Sequence, residues 1–308
     1  MSTAPERPGS TIVRRAPAKV NLTLRVLARE ESGYHQLETL FCGLELADTL
    51  ELRPGGAGIR LEVEGAELGP IEDNLVVRAA RAFERATGRM VDVAIRLRKE
   101  IPAGAGLGGG SSDAAATLDA LNDLHGRPLD DAALVDIAAQ LGSDVAFFLC
   151  RSPLALAWGR GERLLPIPPL PRAPVLLAVP GFAIPTPDAY RDLAAYRAAT
   201  GARAGAAVIP PAALASWDEV ARAAVNDFEP PTFARFPQLR RVRDALLAAG
   251  ADLALLSGSG AALFAVFPED DARDRAASEL RTRFPTLRLF ETATATTVPG
   301  PAGTGEFG

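Results

Sequence analysis

From Lys19 the chain alternates, with polar Lys19, Asn21 and Thr23 set against apolar Val20, Leu22 and Leu24. A two-residue period marks a strand with one buried face, so Val13–Val26 reads as a strand whose polar side carries Lys19 and Asn21. Leu37–Leu52, Ile59–Val63 and Val91–Leu97 read as further strands. EDNLVVRAARAFERATG (Glu72–Gly88) has a helix signature: Asp73 or Asn74 can cap its start, and Gly88 stops it. Further helices are predicted over Ser112–His125 and Asp130–Leu141, stopped by Gly126 and Gly142. A Pro-rich stretch, LLPIPPLPRAP (Leu164–Pro174), marks a domain junction or edge. Beyond it Val175–Val179 is a buried-strand candidate, and the Ala-rich Ala189–Leu214 mixes helix and loop. Leu239–Ala249 and Asp270–Phe284 read as helices, Leu253–Phe267 as strand, turn and strand, and Leu287–Glu291 as a last strand. The ends, residues 1–10 and 297–308, lack periodicity and are expected to be disordered tails.

Between one strand and one helix lies IPAGAGLGGGSSDAAATL (Ile101–Leu118). Glycines let backbone N–H groups turn toward one point and let phosphate oxygens approach closely. The helix N-terminus adds unpaired N–H groups and a positive dipole end, and Ser111 and Ser112 add hydroxyls able to bond phosphate or magnesium. The stretch therefore reads as an anion cradle. It is not a Walker A loop, because no Gly-Lys-Ser/Thr closes it. Gly104, Gly106 and Gly109 have dinucleotide-fingerprint spacing, but the acid at the right distance, Asp123, falls inside a predicted helix.

At 308 residues the chain is long enough for about two domains. Its net charge of -5 gives no general attraction to nucleic acid or to an anionic membrane. The two cysteines, Cys42 and Cys150, sit among apolar neighbours and read as core residues, and with only two histidines a structural zinc site is disfavoured. No secretory leader or membrane-length apolar run is visible, so a cytoplasmic setting is expected.

PAGAGLGGGSSDAA resembles the phosphate-binding motif of the GHMP kinases, which phosphorylate small molecules. In order along the chain come PAKVNLTLRVL…SGYHQLETLF (Pro17–Phe41), EDNLVVRAA, GSDVAFFL (Gly142–Leu149), PGFAIPTPDAY (Pro180–Tyr190), VNDFE (Val225–Glu229) and LSGSGAALFAVF (Leu256–Phe267). Together they resemble the 4-diphosphocytidyl-2-C-methyl-D-erythritol kinase family. The resemblance implies a two-domain α/β (α+β) fold, with an N-terminal ribosomal-S5-like ATP-binding domain over 11–165 and a C-terminal ferredoxin-like α+β domain over 172–296. It implies ATP and Mg2+, a cytidine diphosphate-linked methylerythritol as the small-molecule substrate, and a monomer or weak homodimer with no nucleic-acid or membrane partner.

The resemblance also implies roles. Lys19 and Asp144 match the catalytic pair, in which a carboxylate orients the acceptor hydroxyl and an ammonium lowers its pKa. From the residues alone, Lys19 could equally be a surface lysine and Asp144 a helix cap. Lys99, Pro102, Ala103, Gly104, Ala105, Gly106, Leu107, Gly108, Gly109, Gly110, Ser111 and Ser112 match the nucleotide site, Lys99 near the base. Asn21 matches a contact to the substrate diol or phosphate. Tyr34, His35 and Tyr190 match the cytidine site, with Thr186 and Pro187 beside it. Asn226 and Asp227 match cleft positions, and Gly258 and Ser259 belong to a glycine turn closing over phosphates or substrate. Two positions depart from the pattern: Ala146 stands where proline is common, and Trp158 where glutamate is usual. The alternatives are another GHMP kinase, acting on mevalonate or homoserine, and a catalytically silent nucleotide-binding regulator. The cytidine-site residues and the Lys19–Asp144 pair argue against these in turn.

Overall fold

The computed structural model describes residues 11–30, 35–67, 69–203, 214 and 216–298. Tyr34 and most of both expected tails lie outside the described residues.

The alternating first stretch forms β1 (Ile12–Arg29), paired antiparallel with the long β2 (His35–Pro54). The second half of β2 also pairs with β4 (Val93–Arg98), and its first half with β5 (Leu154–Gly159). β3 (Ile59–Glu64) lies parallel to β4, and β6 (Arg163–Ile167) extends the sheet beyond β5. Pro166 sits in that outer strand, where a residue without an N–H is tolerated. A two-residue strand, β8 (Val225–Asn226), joins the same sheet parallel to β1.

The expected polar face of β1 needs correction. Register shifts fall between Pro17 and Lys19 and between Asn21 and Thr23, and such irregularities re-aim side chains. Lys19, Asn21 and Thr23 are all buried, only 2–4% exposed. Their polar pattern marks a buried polar cluster, not a solvated face.

Helices α1 (Leu75–Thr87), α2 (Gly109–Leu124), α3 (Asp131–Leu141) and α4 (Val145–Leu149) cover one face of this sheet. Asn74 caps α1, accepting the Val76 amide, and Gly88 ends it in the left-handed region at φ 66. The opposite face packs on a second sheet of order β11-β7-β10-β9. Its strands are β7 (Pro174–Val179), β9 (Leu253–Leu256), β10 (Leu263–Val266) and β11 (Arg288–Ala293). Every residue of β7 is buried, because Val175 and Leu177 face the first sheet while Leu176 and Ala178 face helices. Those helices include α5 (Thr186–Thr200), α8 (Pro237–Ala248) and α9 (Asp270–Arg283). Two shorter helices, α6 (Trp217–Ala223) and α7 (Glu229–Arg235), flank β8. The stack is thus helices, sheet, sheet, helices.

Candidate active site

Four stretches converge at one edge of this stack: β1 around Lys19, the loop leading into α2, the β9–β10 turn and the start of α5.

Gly106 and Gly108 have φ of 80 and 72, a region costly for residues with a Cβ. Space demands glycine as well. A Cβ on Gly106 would overlap the Ser257 carbonyl oxygen, and one on Gly108 would lie 2.9 Å from Lys19 Cγ. Two bonds hold the loop there: the Ser257 hydroxyl donates to the Gly106 carbonyl at 3.0 Å, and the Lys19 amide donates to the Leu107 carbonyl at 2.9 Å. Helix α2 starts at Gly109, earlier than the expected Ser112, with no side chain capping it. Its first-turn N–H groups therefore lack intrahelical partners. The loop walls a cavity of about 500 Å³, with Asn74 and Leu75 opposite.

Residues 102–111 and Lys99 all line that cavity; Ser112 does not. Its hydroxyl is buried, without a hydrogen-bond partner among the described residues. Lys99 is not the solvated lysine that adjacent Arg98 suggests. Its ammonium lies between Asp48 and Asp113, the latter at 2.7 Å. Burial pushes the Asp113 carboxyl up to about 7, against the Lys99 charge and with that of Asp48.

Lys19 Nζ stands 3.1 Å from Asp144 Oδ2 and donates to Asn21 Oδ1 at 2.9 Å. It also lies 5.0 Å from the centre of the Phe41 ring. An ammonium has three hydrogens, so one remains after these two acceptors. The Asn21 amide is oriented by donating to the Thr39 hydroxyl at 2.7 Å, which donates in turn to the Thr23 carbonyl. Asp144 precedes α4 but caps nothing; its carboxylate makes no bond to the helix amides. That leaves a partly exposed carboxylate beside a buried ammonium.

His35 stacks on Tyr190, ring centres 4.4 Å apart and planes 15° apart, and Tyr190 meets the Phe228 ring edge-on at 5.0 Å. Burial, then the nearby Asp144 charge, pushes the Tyr190 hydroxyl up to about 12. The aromatic pair thus lies within the electrostatic reach of the Lys19–Asp144 pair. Thr186 and Ser259 hydroxyls stand 3.1 Å apart, joining α5 to the β9–β10 turn, and Pro187 is exposed beside them. A Cβ on Gly258 would lie 3.6 Å from Asn21 Oδ1, so that turn reaches the same cluster.

Asn226 and Asp227 stand behind the site. Asn226 Nδ2 donates to the Leu256 and Gly258 carbonyls, both at 2.8 Å, and Oδ1 accepts the Phe228 amide. Asp227 accepts the Val26 amide and Arg197. Of the departures, Ala146 is fully buried and Trp158 lies opposite Glu38 on β5. Sequence reasoning did not single out Asp48, Asp113, Thr39, Phe41 or Phe228. The strand holding Asp48 also carries Glu38, Glu45 and Glu51, so nothing in the pattern set Asp48 apart.

The GHMP kinases N terminal domain matches residues 74–152, and the GHMP kinases C terminal model residues 211–286. The 4-diphosphocytidyl-2-C-methyl-D-erythritol kinase of Geobacter sp. (strain M21) is 41% identical over 268 residues, 86% of this chain and 92% of that protein. A crystal structure of a 4-(cytidine 5'-diphospho)-2C-methyl-D-erythritol kinase superposes with a TM-score of 0.77 at 39% identity, covering 92% of this chain and 99% of that one. Homoserine kinase from Cytophaga hutchinsonii shares the fold, with a TM-score of 0.72 at 20% identity over 97% of this chain and 99% of that one.

Proposed function

The chain belongs to the 4-diphosphocytidyl-2-C-methyl-D-erythritol kinases, within the GHMP kinases, and we propose that it transfers the γ-phosphoryl of ATP to the 2-hydroxyl of 4-diphosphocytidyl-2-C-methyl-D-erythritol. The products are the 2-phosphate and ADP, within non-mevalonate isoprenoid precursor biosynthesis. The observation that carries this reading is the Lys19–Asp144 pair, 3.1 Å apart, with the glycine loop bonded to Lys19 on one side and the His35–Tyr190 stack on the other.

The loop amides and the open N-terminus of α2 hold the triphosphate. Asp144 orients the 2-hydroxyl and accepts its proton as the O–P bond forms. Lys19 stabilises the developing alkoxide and the charge on the transferring phosphoryl group. Asn21 holds the Lys19 ammonium from the other side. Tyr190, with His35 and Tyr34, receives the cytosine, and Thr186, Pro187, Gly258 and Ser259 line the path from base to diol.

Mg2+ would neutralise phosphate charge, held chiefly by phosphate oxygens. No group of three or more His, Cys, Asp or Glu side chains among the described residues could hold it alone, which fits a metal that arrives on the nucleotide. Cys42 and Cys150 carry free thiols, and no described helix is long and apolar enough to cross a membrane, which supports a cytoplasmic setting. Phosphorus NMR of the product tests the reading: a new phosphomonoester on the methylerythritol unit is expected, and phosphate appearing only as free inorganic phosphate would contradict it.

A further inference from the structure

We propose that Asp48 is a positioning residue for the phosphate loop, fixing its leading end directly and its far end through Lys99. This rests on reading that loop as the ATP site.

Asp48 is fully buried in β2. Its Oδ1 accepts the amides of Glu100 at 2.6 Å and Ile101 at 2.8 Å, the residues that lead from β4 into the loop. Its Oδ2 takes the Lys99 ammonium, which also bonds Asp113 at 2.7 Å. Asp113 lies in α2, the helix that closes the loop. The loop's first residues are thus tied to β2 by Asp48 directly, and its closing helix through the Lys99 ammonium that Asp48 holds. Lys99 Nζ lies 3.2 Å from the Cβ position of Gly109, directly under the first residue of α2.

Three buried ionisable groups are an expensive way to fill space, since well-packed apolar side chains do that at no desolvation cost. What the charges supply is direction. Two amides are aimed at Asp48 and so withdrawn from phosphate, which sets the path of the chain that presents the Gly106–Gly110 amides. Asp113 Oδ1, left without a hydrogen-bond partner among the described residues, belongs to the side chain that floors the same cavity.

Asp48→Asn keeps an acceptor for the two amides and removes the charge that holds Lys99. Losing a charge-assisted bond should raise the KM for ATP by about tenfold to a hundredfold. The KM for the acceptor should stay unchanged, and saturating ATP should restore kcat. Hydrogen exchange should quicken at the amides of residues 101–110, while those of β7, β9 and β10 keep their protection. Asp113→Asn frees only the helix end and should raise the same KM by less. Equal changes in both KM values, or faster exchange throughout the chain, would overturn the proposal in favour of a general stabilising role. So would an unchanged ATP KM in both variants. Should the wild-type protein not turn over ATP, the kinase reading fails, and the exchange pattern still decides whether Asp48 holds the loop.

Discussion

Asp144 Oδ2 lies 3.1 Å from Lys19 Nζ, and the Lys19 amide is bonded to the Leu107 carbonyl of the glycine loop. Lys19 thus links the Asp144 carboxylate to the glycine loop, through its ammonium on one side and its amide on the other. Asp144→Asn preserves shape and would remove the proposed proton acceptor, so kcat should fall by about a hundredfold to ten-thousandfold with little change in the KM for ATP. Lys19→Ala should lower kcat at least as far. Steady-state kinetics check both, and a kcat near the wild-type value in Asp144→Asn would remove the assignment.

The Tyr190 ring, stacked on His35 and edge-on to Phe228, is expected to hold the cytosine. Stacking on a base contributes roughly 1–3 kcal/mol. Tyr190→Ala should therefore raise the KM for the cytidine-bearing acceptor by about fivefold to a hundredfold and leave the KM for ATP alone. Tyr190→Phe keeps the ring that stacks on His35 and should behave like wild type.

Gly106 and Gly126 share a positive φ, 80 and 75, but not their surroundings. A Cβ at Gly126 meets nothing within 4 Å, while one at Gly106 overlaps the Ser257 carbonyl. Gly126→Ala should cost only the left-handed backbone penalty, roughly 1–2 kcal/mol. Gly106→Ala should cost more and also raise the KM for ATP. Denaturant unfolding with parallel ATP kinetics separates the two; equal losses would mean that close approach to the β9–β10 turn is unimportant.

Asp113 gives a pH signature. Burial raises its carboxyl from 3.8 to about 7 in the folded chain. A group whose folded pKa is raised binds its proton more tightly when folded. Its contribution is complete below the unfolded value and is lost as pH rises through about 7. Asp113→Asn cannot titrate, so its melting temperature relative to wild type should climb from about pH 4 to about pH 7 and level off above that. A flat difference would show that Asp113 stays ionised beside Lys99.

Much of the fold was legible because local rules coincided with tertiary demands. The cap at Asn74, the stop at Gly88 and the unbroken apolar run of β7 each have a local cause and appear as expected. Helix α2 starts three residues early because Gly109 and Gly110 are held helical by close packing against Lys99, Ile101 and Leu75, overriding glycine's poor propensity. Strand β6 was obscured by Pro166, which an outer strand tolerates, and by the prolines that follow it. In the site, Lys19 was legible as polar but not as buried, since alternation reports which side a residue faces and not what covers it. That Lys19 meets Asp144 is a fact of topology: α2 packs against both β1 and α4, which lie far apart in the sequence. Asp48 escaped notice because Glu38, Glu45 and Glu51 share its strand, and only the fold shows that Asp48 alone of the four is fully buried.

The most direct test of the central claim is ADP release from Mg-ATP with one acceptor at a time: 4-diphosphocytidyl-2-C-methyl-D-erythritol, methylerythritol phosphate lacking the cytidine, mevalonate and homoserine. Turnover with the cytidine-bearing acceptor alone, abolished in Asp144→Asn, is the predicted result. Turnover with mevalonate or homoserine, or turnover undiminished by the loss of that carboxylate, would contradict it.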